Sequence, residues 1–291
     1  MQTESQNPRS AQLDMLSTLE ILRVINEEDQ TVALAVQRAL PEIARAVDAV
    51  VAALEADGRL FYVGAGASGR TGVIDAVECL PTYSVPPEKV QGVLAGGEGA
   101  MMRSVEGAED DAEQGQRDLA ARGLTASDVV IGIAASGTTP YVLGALGYAR
   151  ALGCVTVGIS CNAPAPVLNA ADIPIALLTG PEVVAGSTRM KAGTAQKMAL
   201  NMISTASMVR LGKVYGNLMV DVQPTNQKLV ERSLRIIGQI TGADRLTAQH
   251  LLEASGRRVK LAIVMGKLGV EAEEGQRLLD AAGGHLRKVI G

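Results

Sequence analysis

Three stretches of this chain join glycine to hydroxyl or basic side chains, the combination that anion binding needs. In Gly64-Ala-Gly66-Ala-Ser68-Gly69, the glycines let the backbone take positive φ and let a ligand approach. Main-chain N–H groups at the start of the following helix can then point at an anion, and Ser68 adds a hydroxyl donor. In Ser136-Gly137-Thr138-Thr139-Pro140, Thr139 reads as an N-cap and Pro140 as the first residue of another helix, so the Ser136 and Thr139 hydroxyls stand beside a second N-terminus. Such paired donors suit a phosphomonoester. Gly64-x-Gly66-x-x-Gly69 alone is also satisfied by a dinucleotide fingerprint or a plain tight turn. Yet neither turn ends in the Gly-Lys-Ser/Thr of a nucleotide P-loop, and no acidic residue sits plainly at a strand end about twenty positions past Gly69 to hold a ribose. A sugar phosphate is favoured over a nucleotide.

The third stretch, Gly180 to Gln196, gathers Ser187, Thr188, Arg189 and Lys191 at a helix start. Basic residues there oppose the helix dipole, which makes sense if an anion compensates them. For proton transfer, the only histidines, His250 and His285, lie near the C-terminus, leaving carboxylates, Lys or Tyr in the main body. Glu78 stands out. Pro81 must stop its helix within a few residues, so the C-terminal dipole should push the carboxyl pKa upward, as a proton donor requires. Read from the residues alone, Glu109 belongs to a solvated acidic run with Glu106, Asp110 and Asp111.

These residues need a scaffold. Short apolar runs at Leu60–Val63, Val90–Leu94, Val129–Ile133, Val155–Ile159 and Ile173–Leu178 read as buried parallel strands. Helical patterns alternate with them: one capped by Ser17 with Glu20, then 32–40, 42–56, the segment behind Gly69, 101–105, one ending near Arg122, 140–152 and a long Ala/Met/Leu helix over 190–211. The alternation predicts an α/β fold with a parallel sheet, ligands binding beyond the strands' carboxyl ends, where both glycine–hydroxyl turns lie. Residues 1–57 read as an N-terminal arm and helices, the first 15 or so a mobile arm tied down only by a partner subunit. Residues 58–222 read as the sugar-phosphate domain and 223–291 as a small helical bundle.

Composition agrees. The 291 residues are 47% hydrophobic but only 2% aromatic, with 32 glycines, as in α/β proteins with aliphatic cores. A net charge of -4 gives no general attraction to nucleic acid or acidic membrane. Cys79, Cys154 and Cys161 have neither metal-site spacing nor the even number of a disulfide framework. The polar N-terminus and the lack of an eighteen-residue apolar run predict a cytoplasmic protein.

Several runs together resemble the N-acetylmuramic acid 6-phosphate etherases: Gly64–Arg70, Asp75–Cys79, Val105–Asp110, Gly132–Gly137, Gly158–Asn162, Gly180–Gln196 and Val209–Asp221. The resemblance extends from about Ser17 to the C-terminus. It implies the sugar isomerase (SIS) fold, a flavodoxin-like parallel sheet, and a homodimer with sites near the subunit boundary. It implies a lyase that cleaves the lactyl ether of a muramic acid phosphate, giving N-acetylglucosamine 6-phosphate and D-lactate in cell-wall sugar recycling, with no metal or organic cofactor. By motif match Glu78 corresponds to the proton donor and Glu109 to the second catalytic glutamate, the base at C2. Gly66, Ser68, Gly69, Ser136, Gly137, Thr139, Ser187, Thr188 and Lys191 are the expected phosphate and sugar contacts. Ala67, Leu80 and Thr138 depart from residues common in the family. A sugar-phosphate sensor related to glucokinase regulatory protein and a phosphosugar isomerase are the alternatives.

Overall fold

The apolar run behind Arg59 is apolar because both its faces are covered: all five residues of β1 (Leu60–Gly64) are buried. The computed structural model describes residues 1–291, which divide into two compact units, the first made of 1–77 and 88–204 and the second of 78–87 and 205–291.

In the first unit, β1 pairs in parallel with β2 (Val90–Leu94) on one side and β3 (Val129–Ile133) on the other, followed by β4 (Val155–Ser160) and β5 (Ile173–Ala176). The order β2-β1-β3-β4-β5 is that of a flavodoxin-like doubly wound sheet, whose ligand crevice opens where the order reverses, between β1 and β3. Both glycine–hydroxyl turns leave these two strands, so both stand at that crevice. The strands match the expected runs to within a residue or two.

The helices of this unit are α1 (Thr18–Asp29), α2 (Val32–Gln37), α3 (Leu40–Glu55), α4 (Gly66–Tyr83), α5 (Ala112–Ala121), α6 (Pro140–Ala151), α7 (Pro166–Asn169) and α8 (Lys191–Arg210). The boundary between the units falls inside α4 and inside α8. Phe61, Val63, Val130, Tyr141, Val142 and Leu146 pack together in the core, each large apolar side chain contributing about 1.5–3 kcal/mol by leaving water. Side chains at Gly115 of α5 or Gly144 of α6 would run into the facing backbone at Tyr141 and Ala112, so the two helices touch main chain to main chain. At the other end of the sheet Asp128, 1% exposed, takes three N–H groups of Arg59 at 2.7–3.1 Å. Burial alone would raise the Asp128 pKa; the hydrogen bonds and charge of Arg59 and the Thr125 N–H outweigh it and hold the carboxyl below its usual range.

Three expectations are corrected here. Residues 1–57 do not stand apart but belong to the same unit as the sheet. The N-terminal arm is docked within one chain: Thr3 is fully buried, the Gly186 N–H donates to its carbonyl at 3.0 Å, and the Ser10 hydroxyl donates to the Val183 carbonyl at 2.7 Å. No helix forms over 101–105: the one helical turn there is the 3-10 turn Glu98–Met101, which ends where the helix was expected to start.

The second unit holds a two-stranded hairpin, β6 (Val214–Tyr215) and β7 (Leu218–Met219), and five helices: α9 (Gln227–Thr241), α10 (Arg245–Ala254), α11 (Val259–Leu268), α12 (Ala272–Ala281) and α13 (Leu286–Ile290). The hairpin was not expected, although Gly216-Asn217 between two apolar pairs is its turn signal. Asn226 and Asp244 cap α9 and α10 by accepting from Leu229 N and Thr247 N. Helix α11 is buried along Val259–Met265. Its Lys260 donates to Asp221 at 2.7 Å and to the Gly284 carbonyl at 2.9 Å, burial pushing its pKa down while Asp221 pulls the other way.

Candidate active site

The turn from β1 into α4 is tighter than glycine freedom alone would suggest. Only Gly66 takes a positive φ, 53°. Gly64 and Gly69 are glycine for a different reason: a Cβ on Gly64 would stand 2.7 Å from Gly69 N, and one on Gly69 would meet the Gly64 carbonyl. The end of the strand and the first turn of the helix are in contact, and Ser68 is buried in that turn, 8% exposed. One turn further along, Arg70 Nε donates to the carbonyls of Ala100 at 2.9 Å and Met101 at 3.3 Å.

In the turn from β3 into α6, Gly137 has φ 78°, and Ser136 Oγ accepts from Thr138 N at 3.2 Å and Thr138 Oγ1 at 3.1 Å. Thr139 occupies the N-cap position as expected, but its side chain makes no capping hydrogen bond. Buried Asn162, at the end of β4, steadies the turn: Nδ2 donates to the Ala135 carbonyl and to Thr3 Oγ1, both at 3.0 Å, and Oδ1 accepts from Thr3 N at 3.2 Å.

Glu109 is exposed but its backbone is fixed. Pro140 has no N–H, so the first donor of α6 is Tyr141 N, and it bonds to the Glu109 carbonyl at 3.0 Å. Asp111 then caps α5 by accepting from Gln114 N at 2.8 Å. Glu109, Glu106, Ser104, Arg70 and Gly66 line a cavity of about 260 Å³. Two members of an acidic run that looked merely solvated, Glu106 and Glu109, thus share a cavity with the first glycine turn. Tyr141 is not an alternative acid, because burial and the Asp118 carboxylate, 2.5 Å from its hydroxyl, push its pKa far up.

Glu78 lies in the second unit and is exposed, on a helix that continues two residues past Pro81 to Tyr83. It therefore stands more than a turn before the helix end. Exposed Ile74 and Val77 precede it on the same helix, at 55% and 61%.

The third stretch is closed from within. Glu182, 0% exposed, accepts from the N–H groups of Lys191 and Ala192 at 2.9 Å each. Lys191 Nζ, itself buried, donates to Glu28 Oε2 at 2.6 Å. Asn7 Nδ2 donates to the same oxygen at 2.9 Å. Burial would raise the Glu28 pKa, but the hydrogen bonds from Lys191 and Asn7 and the nearby positive charges hold it below its usual range. The anion that the basic helix start called for is supplied by the protein's own carboxylates. Ser187 and Thr188 remain half-buried in the preceding loop. The three cysteines are free and buried, with burial pushing Cys154 up to about 11 and Cys161 to about 12, so neither of those two is a thiolate nucleophile.

Residues 42–150 match the glucokinase regulatory protein N-terminal SIS domain, and residues 109–206 match the SIS domain. An N-acetylmuramic acid 6-phosphate etherase from Aeromonas hydrophila subsp. hydrophila is 55% identical over 98% of this chain and 96% of its own length. A protein of the same name from Mycolicibacterium smegmatis is 53% identical over 100% of this chain and 98% of its own. The chain belongs to the N-acetylmuramic acid 6-phosphate etherase family. A phosphoheptose isomerase from Francisella tularensis, 18% identical, matches 67% of this chain and 100% of its own with a TM-score of 0.51, which shows a shared fold. In this etherase family member, sequence reasoning assigned no role to Arg70, Asn162 or Glu182. All three lie inside the quoted motifs. Only their partners, remote in sequence, show what they do.

Proposed function

We infer that this protein is an N-acetylmuramic acid 6-phosphate etherase. It breaks the ether bond between C3 of the sugar and its lactyl group and releases D-lactate and N-acetylglucosamine 6-phosphate. The observation that carries the reading in the structure is the Tyr141–Glu109 backbone bond, which holds a carboxylate at the head of α6, in a cavity shared with the Gly66 turn. Full-length likeness to proteins of that name supports the substrate.

The chemistry follows from the groups present. With C1 as the free aldehyde the C2 proton is acidic, and a carboxylate can take it while the C3–O bond breaks. The departing lactate oxygen receives a proton from a second acid. Water then adds at C3 and a proton returns to C2, so the sugar regains its saturated form. Glu109 is the base at C2 and Glu78 the acid on the leaving oxygen, each a role worth about two to four orders of magnitude. The 6-phosphate is held by the two crevice turns, through Ser68, Ser136 and Thr139 with the backbone at Gly66, Gly69 and Gly137; the Ser187 and Thr188 hydroxyls complete the candidate contacts.

The protein acts as a homodimer. Exposed Ile74 and Val77 beside Glu78 support a second copy covering that face of α4. No helix is long and apolar enough to cross a membrane, and the free cysteines support a reducing, cytoplasmic setting. Incubating the purified protein with N-acetylmuramic acid 6-phosphate and assaying D-lactate tests the reading. Release of stoichiometric lactate is the expected result; no release at any pH, with the sugar phosphate still bound, would make it a sensor instead.

A further inference from the structure

We propose that Arg70 selects the substrate by gripping the lactyl carboxylate, so that this side chain, rather than the phosphate turns, separates the ether substrate from the sugar phosphate it becomes. The proposal rests on the etherase reading above.

Arg70 is half-buried in the first part of α4. Its Nε is tied to the Ala100 and Met101 carbonyls, which fixes the plane of the guanidinium. Nothing in the protein takes its two Nη groups, and no carboxylate pairs with it. Arg59, Arg117 and Arg245, by contrast, each bond a carboxylate of the chain. A planar fork held along one edge, its outer nitrogens unused, is set for a planar acceptor with two oxygens.

The cavity around it sets the charge requirement. Among its lining residues Arg70 is the one cation, while Glu106 and Glu109 are acidic. An anionic group entering there would be repelled by two carboxylates unless Arg70 met it. The substrate carries two anions, and their chemistry tells them apart. The lactyl carboxylate hangs from O3, next to C2, where Glu109 works. The phosphate is on C6, across the ring. The anion that must share Glu109's cavity is therefore the carboxylate, and the hydroxyl turns are left for the phosphate. Neutralising the carboxylate also keeps the nearby base from facing a like charge as it approaches C2.

The test compares two ligands on Arg70→Gln and Arg70→Lys. For lactate release from N-acetylmuramic acid 6-phosphate, KM should rise about 10- to 100-fold in Arg70→Gln, the usual loss for a charge-assisted pair of bonds. Arg70→Lys, which keeps the charge but not the fork, should fall between. N-acetylglucosamine 6-phosphate, which keeps the phosphate and lacks the lactyl group, should inhibit both variants with an inhibition constant within about twofold of the wild type. The lactyl methyl ester should bind wild type and Arg70→Gln alike. A parallel rise in KM and in the product's inhibition constant would overturn the proposal in favour of a phosphate contact or of mere support for the 98–101 turn. An unchanged KM would overturn it outright. Failure of the wild type to release lactate would instead overturn the etherase reading.

Discussion

Helices α4 and α8 begin with similar sequence: glycine, a hydroxyl residue and a basic side chain within a turn of the start. Their surroundings differ. At α8, Glu182 takes the first two N–H groups and Glu28 takes the Lys191 ammonium. At α4, Gly66 opens on a cavity, and Arg70 has no acidic partner. An anion-friendly helix start becomes a binding site only where no carboxylate of the same chain has reached it first. That depends on residues far away in sequence, since Glu28 lies 163 positions from Lys191.

The sharpest way to break the contrast is to remove the carboxylate that works at the open end. Glu109→Gln should keep the fold, seen by circular dichroism, and lose turnover by about a hundredfold or more, and Glu78→Gln likewise. Wild-type rates in either variant would remove that residue from the mechanism. Mixing the two inactive variants asks whether a site draws on two subunits. If it does, random re-pairing should restore about a quarter of the wild-type rate, because half the dimers then hold one intact site; no recovery would place both glutamates of a site in one subunit.

At the closed end the loss should appear in stability instead. Lys191→Met leaves Glu28 only Asn7 and Arg9 as partners and should cost about 1.5–3 kcal/mol in urea unfolding, the loss of one buried hydrogen bond between charged groups, with KM unchanged for whatever protein stays folded. Unaltered stability with a raised KM would make Lys191 a substrate ligand and dissolve the contrast. Smaller effects belong to the hydroxyls: Ser68→Ala and Ser136→Ala should each raise KM by up to about tenfold, and an unchanged KM would mean they only shape their turns.

The mildest test is acid. Glu28 and Asp128 are held below their ordinary values of 4.5 and 3.8. A carboxyl depressed on folding adds stability that is fully present above its unfolded pKa and is lost as pH falls through the folded one. Urea midpoints should therefore hold steady down to about pH 5 and decline below it, and Glu28→Gln should flatten that decline. An equally steep fall in the variant would assign the acid sensitivity to other groups.

The same contrast explains how much could be read from the sequence. Leu60–Val63 and Val129–Ile133 were legible because each is a continuous apolar run, buried on both faces and bounded by glycine or a turn; Val90–Leu94, interrupted by Gln91, and Val155–Ser160, interrupted by Thr156, were legible from their place between helical patterns. The two turns at the crevice were legible because strand, glycine, hydroxyl and helix follow one another locally. What could not be read was pairing across long separations: Thr3 with Asn162, Asn7 and Lys191 with Glu28. Gly69 shows a subtler limit, since the sequence gives no means of telling a glycine needed for φ from one needed for close contact. Glu109 was hidden because an acidic run looks the same whether it faces water or a cavity until the Tyr141 bond is seen.

The docked arm also has a consequence in time. Thr3 leaves the ribosome long before Asn162 and Gly186, the residues that receive it. At about 5–20 residues per second that interval is roughly ten to forty seconds. Throughout it, the nascent arm must stay unpaired and avoid other company, and the Ser136 turn takes its final form only when this late clasp shuts.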